Sequence, residues 1–303
     1  MFSLSNILSA IKKINFMQIK NINFAISASL AILSILLILF KGINFGIDFT
    51  GGTIIEANLG EKKSISQLYS VLEEHHIHNS KIQEFDGNNI MLKLPMRNQA
   101  SSNIEETKLI LNDFFKGNIT FKKIAYVGPH VGSELIKDGI LAISFAFLTI
   151  LLYISFRFEW QFGLSIILAL FHDLIITMGF ISLTNIEFDL TTIAAILTII
   201  GYSVNDSVVI FDRIRENLNK YINKKLDTII NISISETLSR TILTVFTTLI
   251  AVISIALFGG SAISDFGIIT FFGIIVGTYS SIFTSAPMLI HLVNKKSKLM
   301  KYI

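Results

Sequence analysis

The sequence predicts an α-helical integral membrane protein of about six spans, with one α+β domain of ferredoxin-like type outside the bilayer. Three observations carry that reading. Of 303 residues, 51% are hydrophobic and 16% charged, where a soluble domain of this size carries about a quarter charged. The apolar residues gather in uncharged runs long enough to cross a bilayer. The one long polar stretch, residues 41–135, alternates β-forming and helix-spaced segments in the order β-α-β-β-α-β.

In chain order, residues 1–21 form a short tail bearing Lys12, Lys13 and Lys20. Residues 22–40 are an uncharged apolar run. It is longer than the apolar core of a signal peptide and no small-x-small cleavage site follows, so it reads as a retained anchor. In the polar domain, residues 53–59 are rich in β-formers. Residues 64–76 place Ile65, Leu68, Val71 and Leu72 on one helical face. Strands at 81–86 and 89–94 flank Gly87-Asn88-Asn89, a hairpin turn. A second helix at 102–115 carries Ile104, Leu111 and Phe115 and stops at Gly117, before a last strand at 118–127. Acids and bases nearly balance here, which leaves no basic footprint for nucleic acid.

After Pro129 the chain returns to the membrane as a five-helix domain, residues 136–293. Spans are expected at 136–156, 162–183, 190–211, 240–258 and about 266–293. Trp160 sits at a turn, where an interfacial aromatic belongs. Residues 212–239 read as a charged segment and 294–303 as a tail with Lys295, Lys296, Lys298 and Lys301. The tails, the Arg157 turn and the segment with Arg213, Arg215, Lys220, Lys224 and Lys225 hold the basic residues. The turns at Asn185 and Gly260 hold none. The positive-inside rule then puts both termini in the cytoplasm and residues 41–135 outside, periplasmic in a Gram-negative cell.

Ionisable groups inside the spans are the candidate site. A carboxylate in a bilayer costs roughly 2.5–3.5 kcal/mol on an insertion scale, so it needs a partner, a cavity or a proton. Asp206 lies near the cytoplasmic end of the fourth span, with Ser203 and Ser207 beside it and Asn205 preceding it. Arg240 opens the fifth span at similar depth. Asp173, beside His172, falls mid-span, and Asp189 and Asp265 mark outer helix ends. Together they step from the outer face to the inner one, as a proton path requires. Each also has a plainer role: Asp189 and Asp265 as helix caps, His172 and Asp173 as helix-contact hydrogen bonders, Asp206 with Arg240 as a static ion pair. Gly273 and Gly277 are spaced for close helix packing, and Pro287 for a kink.

Enzyme readings fall away. No P-loop motif is present, and the Gly-rich stretch 46–53 lacks its lysine and its following helix. His75, His76 and His78 are a weak metal signal. With no cysteine there is no disulfide framework and no thiolate metal site. The chain reads as carrying no catalytic motif and no cofactor.

Four stretches carry a family resemblance: Phe45-Gly46-Ile47-Asp48-Phe49-Thr50-Gly51-Gly52-Thr53, residues 127–135, residues 201–217 with Gly201-Tyr202-Ser203-Val204-Asn205-Asp206-Ser207, and Gly277-Thr278-Tyr279-Ser280-Ser281-Ile282-Phe283. In this order they resemble the SecD/SecF family of the bacterial Sec export machinery, and the likeness covers almost the whole chain. Ser207 stands where many relatives have Thr, which keeps the hydroxyl. The resemblance implies half of an RND-type transporter in the bacterial inner membrane. It implies a SecD partner supplying the other half, with the SecYEG channel, YajC and the translocating preprotein as further partners amid membrane lipids. It also implies use of the proton motive force in late, outer-side steps of translocation, after SecA has acted. By motif, Asp206 would be the protonatable carboxylate, Arg240 its partner across helices, and Asp265 a weaker match. Two rival readings stay open: a stand-alone RND-type proton-coupled exporter of small molecules or lipids, and a purely structural translocase subunit.

Overall fold

In the computed structural model, which describes residues 15–60, 65–75, 77, 80–85, 88–95 and 100–292, six stretches of helix are long and apolar enough to cross a membrane. The first is α1 (Lys20–Lys41). A short α2 (Ile47–Thr50) leads into the outer domain: β1 (Gly52–Leu59), α3 (Ile65–Glu74), β2 (Lys81–Phe85), β3 (Asn89–Pro95), α4 (Ala100–Phe114) and β4 (Ile119–Val127). The remaining spans are α5 (Pro129–Arg157), α6 (Trp160–Thr184), α7 (Leu190–Lys220), α8 (Leu226–Phe258) and a composite of α9 (Ser261–Ser280), a π-helical turn (Ser281–Ser285) and α10 (Ala286–Leu292).

The outer domain has the expected β-α-β-β-α-β order. Its sheet runs β2-β3-β1-β4 with every neighbouring pair antiparallel, the ferredoxin-like arrangement. Strand alternation puts Ile55, Ala57 and Leu59 of β1 on the same face as Ile90, Leu92 and Leu94 of β3. Leu68 and Leu72 of α3 and Leu111 of α4 cover that face in one buried core. Gly87, His76, His78 and the lysines of both tails, Lys20 apart, lie outside the described residues.

Three span expectations need correction. The 212–239 segment is mostly helix: α7 continues to Lys220 and α8 starts at Leu226, leaving residues 221–225 between them. The extension is amphipathic. Leu226, Ile229, Ile230, Ile234 and Leu238 are buried in the bundle core while the charges stay outside. Arg240 therefore sits inside α8 rather than opening it. Second, the residues before α1 are more than a tail. Phe16 and Met17 are buried in the same core, the Phe16 N–H donates to Asn231 Oδ1 at 2.7 Å, and Lys20 pairs with Asp227 at 3.1 Å. Third, the last span has a π-helical turn ahead of Pro287, where the Ala286 N–H reaches Ser281 O. Proline lacks an N–H, and a wider turn takes up the broken ladder. Ser165 Oγ donates to Ser285 O at 2.5 Å within that region.

The Gly-rich stretch after α1 is the base on which the outer domain stands. Gly46 N–H donates to Phe188 O and Phe188 N–H to Asn44 O, both at 2.8 Å. Leu190 N–H donates to Asp48 Oδ2 at 3.2 Å, and Phe45, Phe49 and Phe188 pack ring against ring. A side chain at Gly132 of α5 would run into Phe49 O, so the start of α5 closes over the same base.

Candidate functional site

The polar centre of the bundle lies where α6, α7 and α9 meet. Their approach depends on two glycines one turn apart on α9. A Cβ at Gly273 would collide with Ile199, and one at Gly277 would lie 3.0 Å from Ser203 Cβ. Close packing of this kind replaces the hydrophobic drive that lipid removes. Here it also carries Ser203 of α7 and Ser280 of α9 to the same atom. Ser203 Oγ donates to Asp173 Oδ2 at 2.6 Å and Ser280 Oγ at 2.7 Å. His172 Nδ1 stands 3.1 Å from Asp173 Oδ1. Asp173 is 2% exposed. It is thus a fully enclosed carboxylate held by hydroxyls from two other helices.

That packing yields a direct prediction. Gly277→Val should destabilise the bundle by about 1–3 kcal/mol through overpacking and pull Ser203 from Asp173. Gly277→Ala should cost less, since Ser203 must yield only a few tenths of an ångström. The unfolding midpoint of the purified protein in detergent checks the ranking. Equal midpoints for all three proteins would refute it.

Asp206 lies one turn beyond Ser203 on α7 and is also 2% exposed. Its surroundings are poorer. Among the described residues its side-chain contact is Thr278 Oγ1 at 3.5 Å, the outer limit of a hydrogen bond. Arg240 makes no direct ion pair with it among the described residues, although the two charges interact through space. Arg240 instead lines an open cleft at the basic end of the bundle, with Val209, Asp212, Arg213, Glu216, Glu236 and Thr237. Inside that cleft Arg213 bonds Glu236 at 2.7 Å and Glu216 at 2.5 Å, and Asn217 Nδ2 donates to Glu236 at 2.7 Å. Of the motif residues, Ser207 is buried and Asn205 is exposed, on the side of α7 turned away from the bundle.

At the far end, Asp189 caps α7. Its Oδ1 accepts from Thr192 N–H at 2.9 Å and from Thr191 Oγ1 at 2.6 Å. Asp265 is no cap: α9 begins at Ser261, and Asp265 lies on its next turn. Its charge interacts with Lys81, Lys93, Asp189 and Glu187. Glu187 is the centre of that cluster, bonded to Lys81 at 3.1 Å and also to Lys93. Sequence reasoning gave Glu187, Lys81 and Lys93 no role. It noted the stretch with Thr278 and Ser280 without linking it to Asp173.

Among known proteins, the family described as "Protein export membrane protein SecD/SecF, C-terminal" matches residues 106–295, and the "SecD/SecF GG Motif" matches residues 36–59. The chain is 48% identical over 285 residues to the protein translocase subunit SecF of Rickettsia prowazekii (strain Madrid E), covering 93% of this chain and 92% of that protein. It is 49% identical to the same subunit of Rickettsia bellii (strain OSU 85-389), covering 93% and 94%. Among solved structures it is similar to SecDF, a translocon-associated membrane protein from Thermus thermophilus, with a TM-score of 0.80 and 37% identity. SecDF in its super-membrane-facing form gives 0.71 and 36%. Those matches cover 92% of this chain but 38% of the SecDF chain, so this chain spans well under half of that protein's length.

Proposed function

This chain belongs to the SecD/SecF family of protein-export membrane proteins, and from that premise we propose that it couples the proton motive force to late steps of preprotein translocation. It is an auxiliary Sec translocase subunit in a multi-pass membrane setting. The stand-alone exporter is not favoured by relatives that carry the SecF name.

The single observation that carries the coupling role is the pair of enclosed carboxylates, Asp173 and Asp206, in the core of a membrane bundle. An ionised carboxylate without a contacting counter-charge is costly in such a place. Among the described residues, Asp206 has the long Thr278 contact and the through-space attraction of Arg240 to offset that cost. Neutralising it with a proton removes the cost and ends its attraction to Arg240. Each proton moving down a 100 mV potential supplies about 2.3 kcal/mol, and a few kcal/mol suffice to shift a two-state bundle. Asp265 at one end and the Arg240 cleft at the other mark where protons would enter and leave.

The orientation follows from charge. Lys20, Arg157, Arg213, Arg215, Lys220, Lys224 and Lys225 share one end of the bundle, which the positive-inside rule assigns to the cytoplasm. The termini would then be cytoplasmic and the ferredoxin-like domain periplasmic. SecD is the partner to which the SecDF likeness points. In this chain α5 and α8 leave most of their apolar surface uncovered, with 11% of the most apolar stretch of each buried, a surface suited to lipid and to a second half. SecYEG, YajC and the preprotein would be met through that assembly.

The test is preprotein translocation into inverted membrane vesicles holding SecYEG and SecD, with and without this subunit. The reading predicts that a proton gradient stimulates export only when the subunit is present. Equal stimulation without it would overturn the coupling role and leave the structural-subunit reading in its place.

A further inference from the structure

We propose that Asp173 and Thr177 hold one water molecule between them, and that Asp173 exchanges its proton through this bound water. The inference rests on the proton-coupled reading above and adds a site to it. The two residues lie at i and i+4 on α6, on one face and one turn apart. Both line an internal cavity otherwise walled by Leu170, Leu174 and three isoleucines of α7. The space open to the centre of a water-sized sphere is about 10 Å³, room for a single water.

Thr177 supplies the independent sign of a ligand. It is fully buried, and its hydroxyl has no hydrogen-bond partner among the described residues. Threonines within helices commonly return their hydroxyl to the carbonyl four residues back. Thr149, Thr184 and Thr198 do so here, whereas Thr177 does not. A hydroxyl left so is costly unless something pairs with it. One water can reach both: two O–H···O bonds meeting at a tetrahedral angle span about 4.5 Å, within reach of side chains at i and i+4, whose Cβ atoms stand about 5–6 Å apart.

The chemistry of the walls selects the ligand. A bare alkali cation needs several oxygens in place of its hydration shell. Only two of the seven lining residues carry a side-chain oxygen, and the rest are aliphatic. A water needs only two polar partners and finds both. It donates to Asp173 and accepts from Thr177, while Ser203, Ser280 and His172 hold the carboxylate in place. When the water arrives as hydronium, one of its O–H bonds breaks as an O–H bond forms on Asp173. The carboxylate goes from −1 to neutral and a neutral water stays behind. Release is the reverse. Asp173 is the proton-holding group, and Thr177 positions the water.

The experiment uses the full complex with SecD and SecYEG in inverted vesicles. Thr177→Val keeps the shape and removes the hydroxyl, and gradient-stimulated export should fall about tenfold, the rate equivalent of one lost hydrogen bond. Thr177→Ser keeps the hydroxyl and should stay within about twofold of the parent. Infrared difference spectra in ordinary and oxygen-18 water should show a bound-water band that vanishes in Thr177→Val and in Asp173→Asn. Wild-type stimulation in Thr177→Val, while Asp206→Asn loses it, would overturn this inference alone. Stimulation retained in both variants would overturn the proton-coupled reading with it. Equal losses in Thr177→Ser and Thr177→Val would assign the residue to packing and refute the water. Stimulation by a sodium gradient in place of a proton gradient would refute the choice of ligand.

Discussion

Asp206→Asn is expected to bring gradient-driven export down to the level seen when a protonophore collapses the gradient, with the complex still assembled. The substitution conserves volume, so the packing of α7 against α9 should survive. The amide still accepts from Thr278, so the local contact is kept. What disappears is the ability to alternate between charged and neutral. A neutral amide also cannot attract Arg240 through space as the carboxylate does. Arg240→Gln should therefore add little further loss in the Asp206→Asn background, because partners in one interaction are not additive. Co-purification with SecD from the same membranes supplies the assembly control, and vesicle translocation with and without protonophore supplies the rate. A mutant that keeps its gradient response would reduce Asp206 to a packing residue. A mutant that loses SecD would make the defect one of assembly.

The reasons this site was only partly visible in the sequence are physical. Spans announce themselves because lipid demands long uncharged runs, so α1 and α6 were legible to within two residues, whereas α9 begins at Ser261, ahead of the expected 266. The ferredoxin-like order was legible because strand and helix periods differ. Asp206 and Asp173 stood out because carboxylates are rare among such neighbours. Their partners were not legible. Ser203 is one turn from Asp206 on its own helix, and adjacency suggested that it serves Asp206, yet it donates to Asp173 on another helix. Ser280 reaches the same atom only because Gly273 and Gly277 let α7 and α9 touch. Such convergence depends on helix rotation and depth, which a one-dimensional pattern does not encode.

The helical extension of α8 was a different kind of miss. Leu226, Ile229, Ile230, Ile234 and Leu238 recur at helical spacing, so the signal was present. The interleaved charges masked it by lowering the mean apolarity, and the segment read as a charged loop. Phe16 and Met17 were obscured in another way. The stretch read as a basic tail, and the burial of the two residues in the bundle core is a tertiary contact that the tail's own sequence does not specify.

Glu187→Lys is expected to detach the outer domain from the bundle. Lys81 and Lys93 stand directly opposite each other on β2 and β3, so their side chains share one face of the sheet. Like charges so placed destabilise a sheet. Glu187, on the turn before α7, lies between them, with one carboxylate oxygen on each. The side chains of Glu187 and Lys93 are only 10% and 14% exposed, so that pair is worth far more than a surface bridge. Losing a partner from a buried pair costs about 3–5 kcal/mol. The Lys81 contact, 38% exposed on the lysine side, adds little. Reversing the charge at position 187 puts a third cation against two that already repel. The consequence should be faster proteolysis at the base of the domain and a large loss of export. Lys93→Glu in the same chain restores alternation, because the new carboxylate would face Lys81 and the new lysine together. Asp265 and Asp189 act on the same cluster through their charges, so a proton arriving at Asp265 would change the field that holds the latch. This makes the latch a link between Asp265 and the ferredoxin-like domain. Protease sensitivity of Glu187→Lys equal to that of the parent would sever the link, and failure of the double mutant to recover would show that shape, rather than charge, joins the domain to the membrane.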